Sequence, residues 1–160
     1  VKELDSQLIY LAELIQKDLG TDVSRMEGAG AAGALGAGIV AFMGGKLKSG
    51  IQTVLDMLHF EELAAGADMV FTGEGRIDSQ SLGGKVVIGI AERAKRLGVP
   101  VTAVVGSIGD GAEGAYELGV NAIFSINRTA EDFSVSRYKS KENLTGTVDS
   151  LIRFYMAAGK

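Results

Sequence analysis

The chain has 160 residues, no cysteine and a single histidine, His59, which excludes disulfides, thiolate catalysis, cysteine-ligated zinc or iron–sulfur sites and a histidine metal cluster. Its formal net charge of −4 argues against nucleic acid or an anionic membrane as the main partner, and 46% hydrophobic residues are enough to build a core. The length fits one domain, or one domain plus part of another.

Val1-Lys2-Glu3-Leu4-Asp5 is charged and lacks the apolar core of a signal peptide, and no run approaches the roughly 20 apolar residues that span a bilayer. The expectation is a cytoplasmic protein without membrane contact. The first residue is not Met, in keeping with a processed or excised piece. The 23 glycines against one proline, Pro100, fall in clusters, and the clusters mark the informative places.

From Leu4 to Leu19, apolar residues at positions 4, 8, 11, 14, 15 and 19 predict an amphipathic helix ended by Gly20. After a polar connection comes GAGAAGALGAG, Gly28 to Gly38. Gly28, Gly30 and Gly33 satisfy G-x-G-x-x-G, but residues 22–27 make a poor strand, so the dinucleotide fingerprint lacks its context. Two readings stand: a small-residue helix packed against another backbone, or a glycine loop whose amides face an anion. Met26-Glu27 before the run and the apolar Ile39 to Met43 after it suggest a loop, then a buried helix. Lys46, Lys48, Ser49 and Gly50 form a basic turn, solvated or in contact with an anion. Ile51 to Leu58 reads as a helix with Ile51, Val54, Leu55 and Leu58 inward. His59 reads as a structural or surface histidine, and Phe60 to Ala65 as a short helix.

Met69-Val70-Phe71 predicts a buried parallel strand that stops at Gly73-Glu74-Gly75. Arg76, Asp78, Ser79, Gln80, Ser81 and Lys85 follow, crowding two carboxylates, two cations and neutral polar groups at one strand exit. Val86 to Leu97 predicts a helix with Val87, Ile90, Ala91, Ala94 and Leu97 on one face and basic Arg93, Lys95 and Arg96 in its last turns. Val99 to Val105 is a second strand that leaves into Gly106-Ser107-Ile108-Gly109-Asp110-Gly111. A helix, Ala112 to Leu118, leads to a third strand, Val120 to Ile126, ending at Ser125-Ile126-Asn127. Thr129 is placed to cap a short turn through Phe133. A last helix from Ser140 to about Ala158 buries Leu144, Val148, Leu151, Ile152 and Tyr155.

The alternation from residue 59 to 160 predicts an α/β domain. It has a parallel sheet, flanking helices and right-handed crossovers, a three-layer arrangement of Rossmann or flavodoxin type. Residues 1–58 read as a helical Gly/Ala-rich segment from a second α/β domain. In such sheets ligands bind beyond the carboxyl ends of the strands, where parallel strands bring all three exit loops to one edge. Carboxylates there suit Mg²⁺ or a base acting on a hydroxyl, and Arg76 and Lys85 suit phosphoryl charge. Taken singly, Glu74 and Asp78 also fit turn formers, Arg76 a surface partner of Asp78, Lys85 a solvated helix start, and Asp110 a turn. There is no P-loop and no nucleophile elbow, and one histidine makes a hydrolase triad a poor fit.

The segments Gly28-Ala29-Gly30-Ala31-Ala32-Gly33, Gly36-Ala37-Gly38 and Leu47-Lys48-Ser49-Gly50-Ile51 lead to the motif Phe71-Thr72-Gly73-Glu74-Gly75-Arg76-Ile77-Asp78-Ser79-Gln80. Gly83-Gly84-Lys85 and Gly106-Ser107 follow it. In order and spacing these resemble the bacterial-type glycerate kinase family across the whole chain. The resemblance implies ATP-dependent phosphorylation of D-glycerate to a phosphoglycerate with Mg²⁺, on two α/β domains of which one is inserted in the other. It implies that Glu74 and Asp78 hold metal or orient the substrate hydroxyl, and that Arg76 and Lys85 contact phosphate or the glycerate carboxylate. Gly28, Gly30, Gly33, Gly73, Gly75, Ser79, Gln80, Ser107 and Asp110 would supply further contacts to substrate or phosphate. Family members are more than twice this length, and their N-terminal Ser-Phe-Lys-Glu and Asp-Gly-Gly-Glu-Gly-Thr motifs are absent here. The implied partner is therefore the N-terminal part of the same polypeptide, and the chain alone would carry a half-site, expose apolar surface and self-associate. The competing reading is a non-catalytic α/β module that binds a small anion or docks on a partner.

Overall fold

Strand β3 (Val101–Val105) is buried at every residue, and the second half of the protein is built around it. In the computed structural model, which describes residues 2–159, the chain divides into two compact units, Val1–Ser49 and Gly50–Lys160. In the second unit β3 lies between β1 (Val70–Thr72) and β5 (Val120–Ser125) in an all-parallel sheet of order β1-β3-β5. The β3–β5 register slips after the Val101–Val120 pair, where the Asn121 side-chain oxygen accepts from the Val101 amide at 2.8 Å.

The crossover from β1 to β3 is α5 (Val86–Arg96). Its buried positions Val87, Ile88, Ala91 and Ala94 repeat at helical spacing. They pack with Val101, Ala103, Val105, Ala112, Ala115 and Val120 into one core. Ile90 is only half-buried and Leu97 is 38% exposed, so the apolar stripe is rotated toward Ile88 relative to the expectation. A short helix α6 (Gly114–Glu117) joins β3 to β5, and α8 (Ser140–Ala157) also packs beside β3. The fold is thus α/β with a parallel sheet and flanking helices.

Arg93, in the basic last turns of α5, is buried and spends its donors on two neighbouring helices. These are α3 (Gly50–Met57) and α4 (Phe60–Ala64). Nε donates to Gln52 Oε1 at 2.8 Å and Nη2 to the Gln52 carbonyl at 3.2 Å. Nη1 donates to Glu61, and Nη2 also bonds Asp56. The Asp56 hydrogen bond is the largest influence raising the arginine's pKa above its ordinary value. A guanidinium's rigid fork of five donors suits such a junction, where an ammonium would not. Ile51 also lies directly over Gly89, where an added Cβ would come within 2.7 Å of it. Helix α3, counted with the first segment in the sequence expectation, therefore packs within the second unit.

Two further expectations are corrected. On α8 the buried residues are Asn143 and Thr147, while Leu144 and Ile152 are 45% and 42% exposed. Of the expected set, Val148, Leu151 and Tyr155 are half-buried, and the inward stripe runs 143, 147, 151, 155. The turn after β5 is capped by Asp132, not Thr129: its Oδ1 accepts from the Ser134 amide at 2.8 Å and starts α7 (Phe133–Ser136).

The first unit holds α1 (Lys2–Leu19) and α2 (Ala31–Met43). Helix α1 has the expected apolar periodicity, yet Ile15 is its one buried residue. In α2 the residues Ala32, Gly33 and Ala34 have left-handed dihedrals, so regular helix begins only after them, as a loop-then-helix reading requires. The expected burial is not found: Leu35, Phe42 and Met43 are 59%, 67% and 79% exposed. Among the described residues, no helix is long and apolar enough to cross a membrane.

Ile88 is 1% exposed in the core, whereas Leu63 is 72% exposed. Ile88→Ala is expected to lower unfolding stability by about 2–5 kcal/mol, and Leu63→Ala by less than about 0.5 kcal/mol, in urea titrations followed by circular dichroism.

Candidate functional site

The exits of β1 and β3 are locked together backbone to backbone. β2 (Arg76–Ile77) pairs in parallel with β4 (Ser107–Ile108), with Arg76 opposite Ser107. Around this ribbon the Gly106 amide donates to the Glu74 carbonyl at 3.0 Å and the Gly109 amide to the Ile77 carbonyl at 2.8 Å. The Ser79 amide donates to the Asp110 carbonyl at 3.0 Å. Such close approach needs glycine. A Cβ on Gly106 would overlap the Gly75 carbonyl, and one on Gly73 would overlap the Val104 carbonyl. The exit of β5 joins them, since Ser125 Oγ donates to the Gly106 carbonyl at 3.3 Å. All three strand-end loops therefore meet at one edge of the sheet.

Glu74 lies where these loops converge. Its Oε1 is buried and has no hydrogen-bond partner. A buried, unpaired carboxylate oxygen is costly, and natural folds keep few of them. It is the feature of this edge that structural needs do not explain.

Asp78 is, by contrast, fully engaged. Its Oδ1 accepts from the Gln80 amide at 3.0 Å and caps a 3₁₀ turn over Ser79–Leu82. Its Oδ2 accepts from Arg76 Nε at 2.9 Å. The Ser81 hydroxyl, wholly buried, closes the capping box by accepting from the Asp78 amide at 3.4 Å. The Arg76 hydrogen bond is the main cause that holds the Asp78 carboxyl below the usual range, with the Gln80 amide and the charges of Arg76 and Lys85 adding to it against partial burial. The Arg76 guanidinium lies over Gly109, and the side chain as a whole is 62% exposed.

The other expected residues divide by unit. Lys85 is exposed at the extended residue that starts α5, close enough for its charge to act on Asp78. Ser79 and Gln80 are exposed in the capped turn, and Ser79 Cβ lies against Gly111. Ser107 is half-buried in the ribbon and Asp110 is exposed. Gly28, Gly30 and Gly33 belong to the first unit. There the Gly28 and Gly30 carbonyls accept from the Ala31 and Ala34 amides, and Ala29 accepts from Ala37. Several amides of that run are thus spent inside the turn.

Gly109 and Ser81, named in the strand-exit loops but given no role from sequence, both shape this edge. The D-S-Q-S spacing, a capping-box pattern with Ser81 in the third position, was the available signal for the second. Among the described residues there is no cluster of three or more His, Cys, Asp or Glu able to hold a metal by protein groups alone.

Gly106→Ala is expected to force the two loops apart at a cost of about 1–3 kcal/mol, lowering Tm by roughly 5 °C in a thermal scan. It also removes exchange protection from the Gly106 and Gly109 amides, read by NMR.

Comparison with known proteins follows the same lines. The sequence profile described as the glycerate kinase family matches residues 1–156. A glycerate kinase of Halalkalibacterium halodurans is 50% identical over 126 residues, 79% of this chain and 33% of that protein. A glycerate kinase of Bacillus cereus is 38% identical over 160 residues, 100% of this chain and 42% of its own. The glycerate 2-kinase of Escherichia coli is 47% identical over 126 residues, 79% of this chain and 33% of its own. Among solved structures, that of a candidate glycerate kinase 2 from Salmonella typhimurium LT2 has a TM-score of 0.71 at 40% identity, over 99% of this chain and 40% of that one. The chain spans about a third to two fifths of the length of these relatives. With a matching profile over nearly all its residues and a relative 38% identical over all of them, the chain belongs to the glycerate kinase family.

Proposed function

We propose that this chain is the C-terminal part of an ATP-dependent kinase that phosphorylates D-glycerate. On this reading the strand exits carry its share of the active site. The observation that carries the reading is Glu74 Oε1, buried and unpartnered among three converging loops, two residues from Arg76. Family membership supplies the reaction class.

The donors fit what a nucleotide and Mg²⁺ require. Mg²⁺ is bound by one or two carboxylates with the remaining positions filled by water and phosphate oxygens. Glu74 offers a carboxylate oxygen with no competing protein donor, and Asp78 stands in the adjoining capped turn. When bound, the metal would neutralise charge on the phosphates. The protein's own contributions follow from geometry. Arg76 binds an oxyanion, Lys85 adds positive charge beside it, and Ser79, Gln80 and Ser107 offer neutral hydrogen bonds at the rim. Gly73 and Gly75 keep bulk away from Glu74, and Asp110 shapes the loop that meets Ser79. Gly28, Gly30 and Gly33 we assign to substrate or phosphate contact within the first unit.

The partner proposed is the remaining length of the polypeptide that relatives possess. The first unit leaves Leu4, Leu8, Ile9, Leu35 and Phe42 exposed and contains a cleft of about 710 Å³ lined by Leu8, Ile15, Val23 and Phe42 among others. A domain completed by further chain would cover such surface; left bare, it promotes association. Static light scattering of the chain alone is expected to show concentration-dependent assembly, and a mass that stays monomeric at all concentrations would count against this part.

The catalytic proposal is tested on the chain alone and on a chimera in which it replaces the matching 160-residue segment of the Bacillus cereus relative. The chain alone is expected to show no turnover of Mg-ATP and D-glycerate, and the chimera to turn over. Glu74→Gln in the chimera is expected to reduce kcat by about 10²–10³ with Tm retained, and chelation of the metal to abolish activity. Turnover within twofold of the parent chimera would reject the role of Glu74.

A further inference from the structure

Arg76 is better constrained than an exposed arginine at a loop needs to be. Its side chain is 62% exposed, and arginines of that exposure ordinarily sample many rotamers. Here one edge and one face are both fixed. Nε donates to Asp78 Oδ2 at 2.9 Å, and Asp78 is itself immobilised by the Gln80 amide on its other oxygen. The guanidinium lies so close over Gly109 that a Cβ there would be 2.6 Å from Nη2 and 3.0 Å from Cζ. Gly109 is in turn pinned by its amide's hydrogen bond to the Ile77 carbonyl at 2.8 Å. Its φ lies outside the left-handed region, so the backbone there accepts any L-residue. The three nearest atoms that a Cβ at position 109 would meet all belong to the Arg76 guanidinium, so a side chain there displaces the arginine. Among the described residues no protein acceptor takes Nη1 or Nη2.

We propose that Asp78 and Gly109 are positioning residues that hold Arg76 in advance, one gripping its Nε and the other leaving room for its plane, so that both Nη groups face a ligand oxyanion. A guanidinium with Nε occupied and its two terminal nitrogens free presents a planar edge that matches carboxylate or phosphate. Fixing it before binding removes the cost of ordering it on binding. This rests on the reading of the strand exits as a ligand site and deepens it: the ligand group at Arg76 is a carboxylate or a phosphate, and Asp78 serves the arginine.

The test uses the Bacillus cereus chimera with ¹⁵N-labelled arginine. The Arg76 Nε–H signal, assigned by its loss in Arg76→Ala, is expected to be resolved and slowly exchanging. Asp78→Asn keeps the cap acceptor but loses the charged partner, and Gly109→Ala intrudes on the plane; each is expected to return the signal to the fast-exchanging pool while the other amide signals stay in place. A signal that stays protected in both variants overturns the positioning role. The ligand arm titrates inorganic phosphate and D-glycerate separately. The probe that moves the Arg76 signal identifies the oxyanion, and Gly109→Ala is expected to weaken its binding about tenfold in the Arg76 protein but less than twofold in Arg76→Ala. Equal weakening in both backgrounds would make Gly109 a merely structural glycine and overturn the proposal. If neither probe moves the signal, the oxyanion assignment fails, together with the ligand-site reading of Arg76, whatever the unliganded spectra show.

Discussion

The interaction on which the rest depends is main chain to main chain: Gly106 N–H to the Glu74 carbonyl, Gly109 N–H to Ile77 and Ser79 N–H to Asp110. A parallel sheet brings strand exits to one edge but leaves the loops beyond them free to splay. Here the sheet continues as a two-residue ribbon, β2 with β4, and the loops close on one another at glycine positions where a side chain would collide. That closure buries one oxygen of Glu74 and sets Arg76 on Gly109. Backbone hydrogen bonds are suited to this task because they fix position without consuming side chains, which stay available for a ligand.

Two kinds of polar burial occur in the second unit, and their difference is instructive. Arg93 is buried with its donors distributed over Gln52, Asp56 and Glu61, as a structural charge must be. Glu74 Oε1 is buried with nothing. Among the described residues Thr147 Oγ1 on α8 is the other buried side-chain atom without a partner, so what sets Glu74 apart is its carboxylate and its place at the strand exits, where a ligand could satisfy it. The contrast between the two sites supports the functional proposal independently of family membership.

Much of the fold was legible in the sequence because strands and helices here carry strong periodic signals. VPVTAVV is a continuous apolar run, and α5 repeats its apolar residues at helical spacing. What sequence could not convey was the pairing of two-residue strands, since β2 and β4 owe their existence to each other and to the adjoining sheet. Nor could it show that Arg93 points inward, because a basic residue in a last helical turn is equally well placed for solvent. Burial on α2 and α8 was overestimated at Phe42 and Leu144 for one reason: periodicity shows which face is apolar, but not whether anything covers it. At the strand exits, the residue types were readable while their division of labour was not. Asp78 and Glu74 look alike in the string, yet one is saturated with hydrogen bonds and the other lacks any at Oε1.

The central claim is that a phosphate-bearing ligand or its metal occupies the edge where β1, β3 and β5 end. A crystal structure of the chimera with Mg²⁺, a non-hydrolysable ATP analogue and D-glycerate tests it most directly. The account predicts ligand or metal density in contact with Glu74 Oε1 and an oxyanion against the free edge of Arg76. Ligands bound elsewhere, with Glu74 Oε1 still buried and unpartnered, would contradict it.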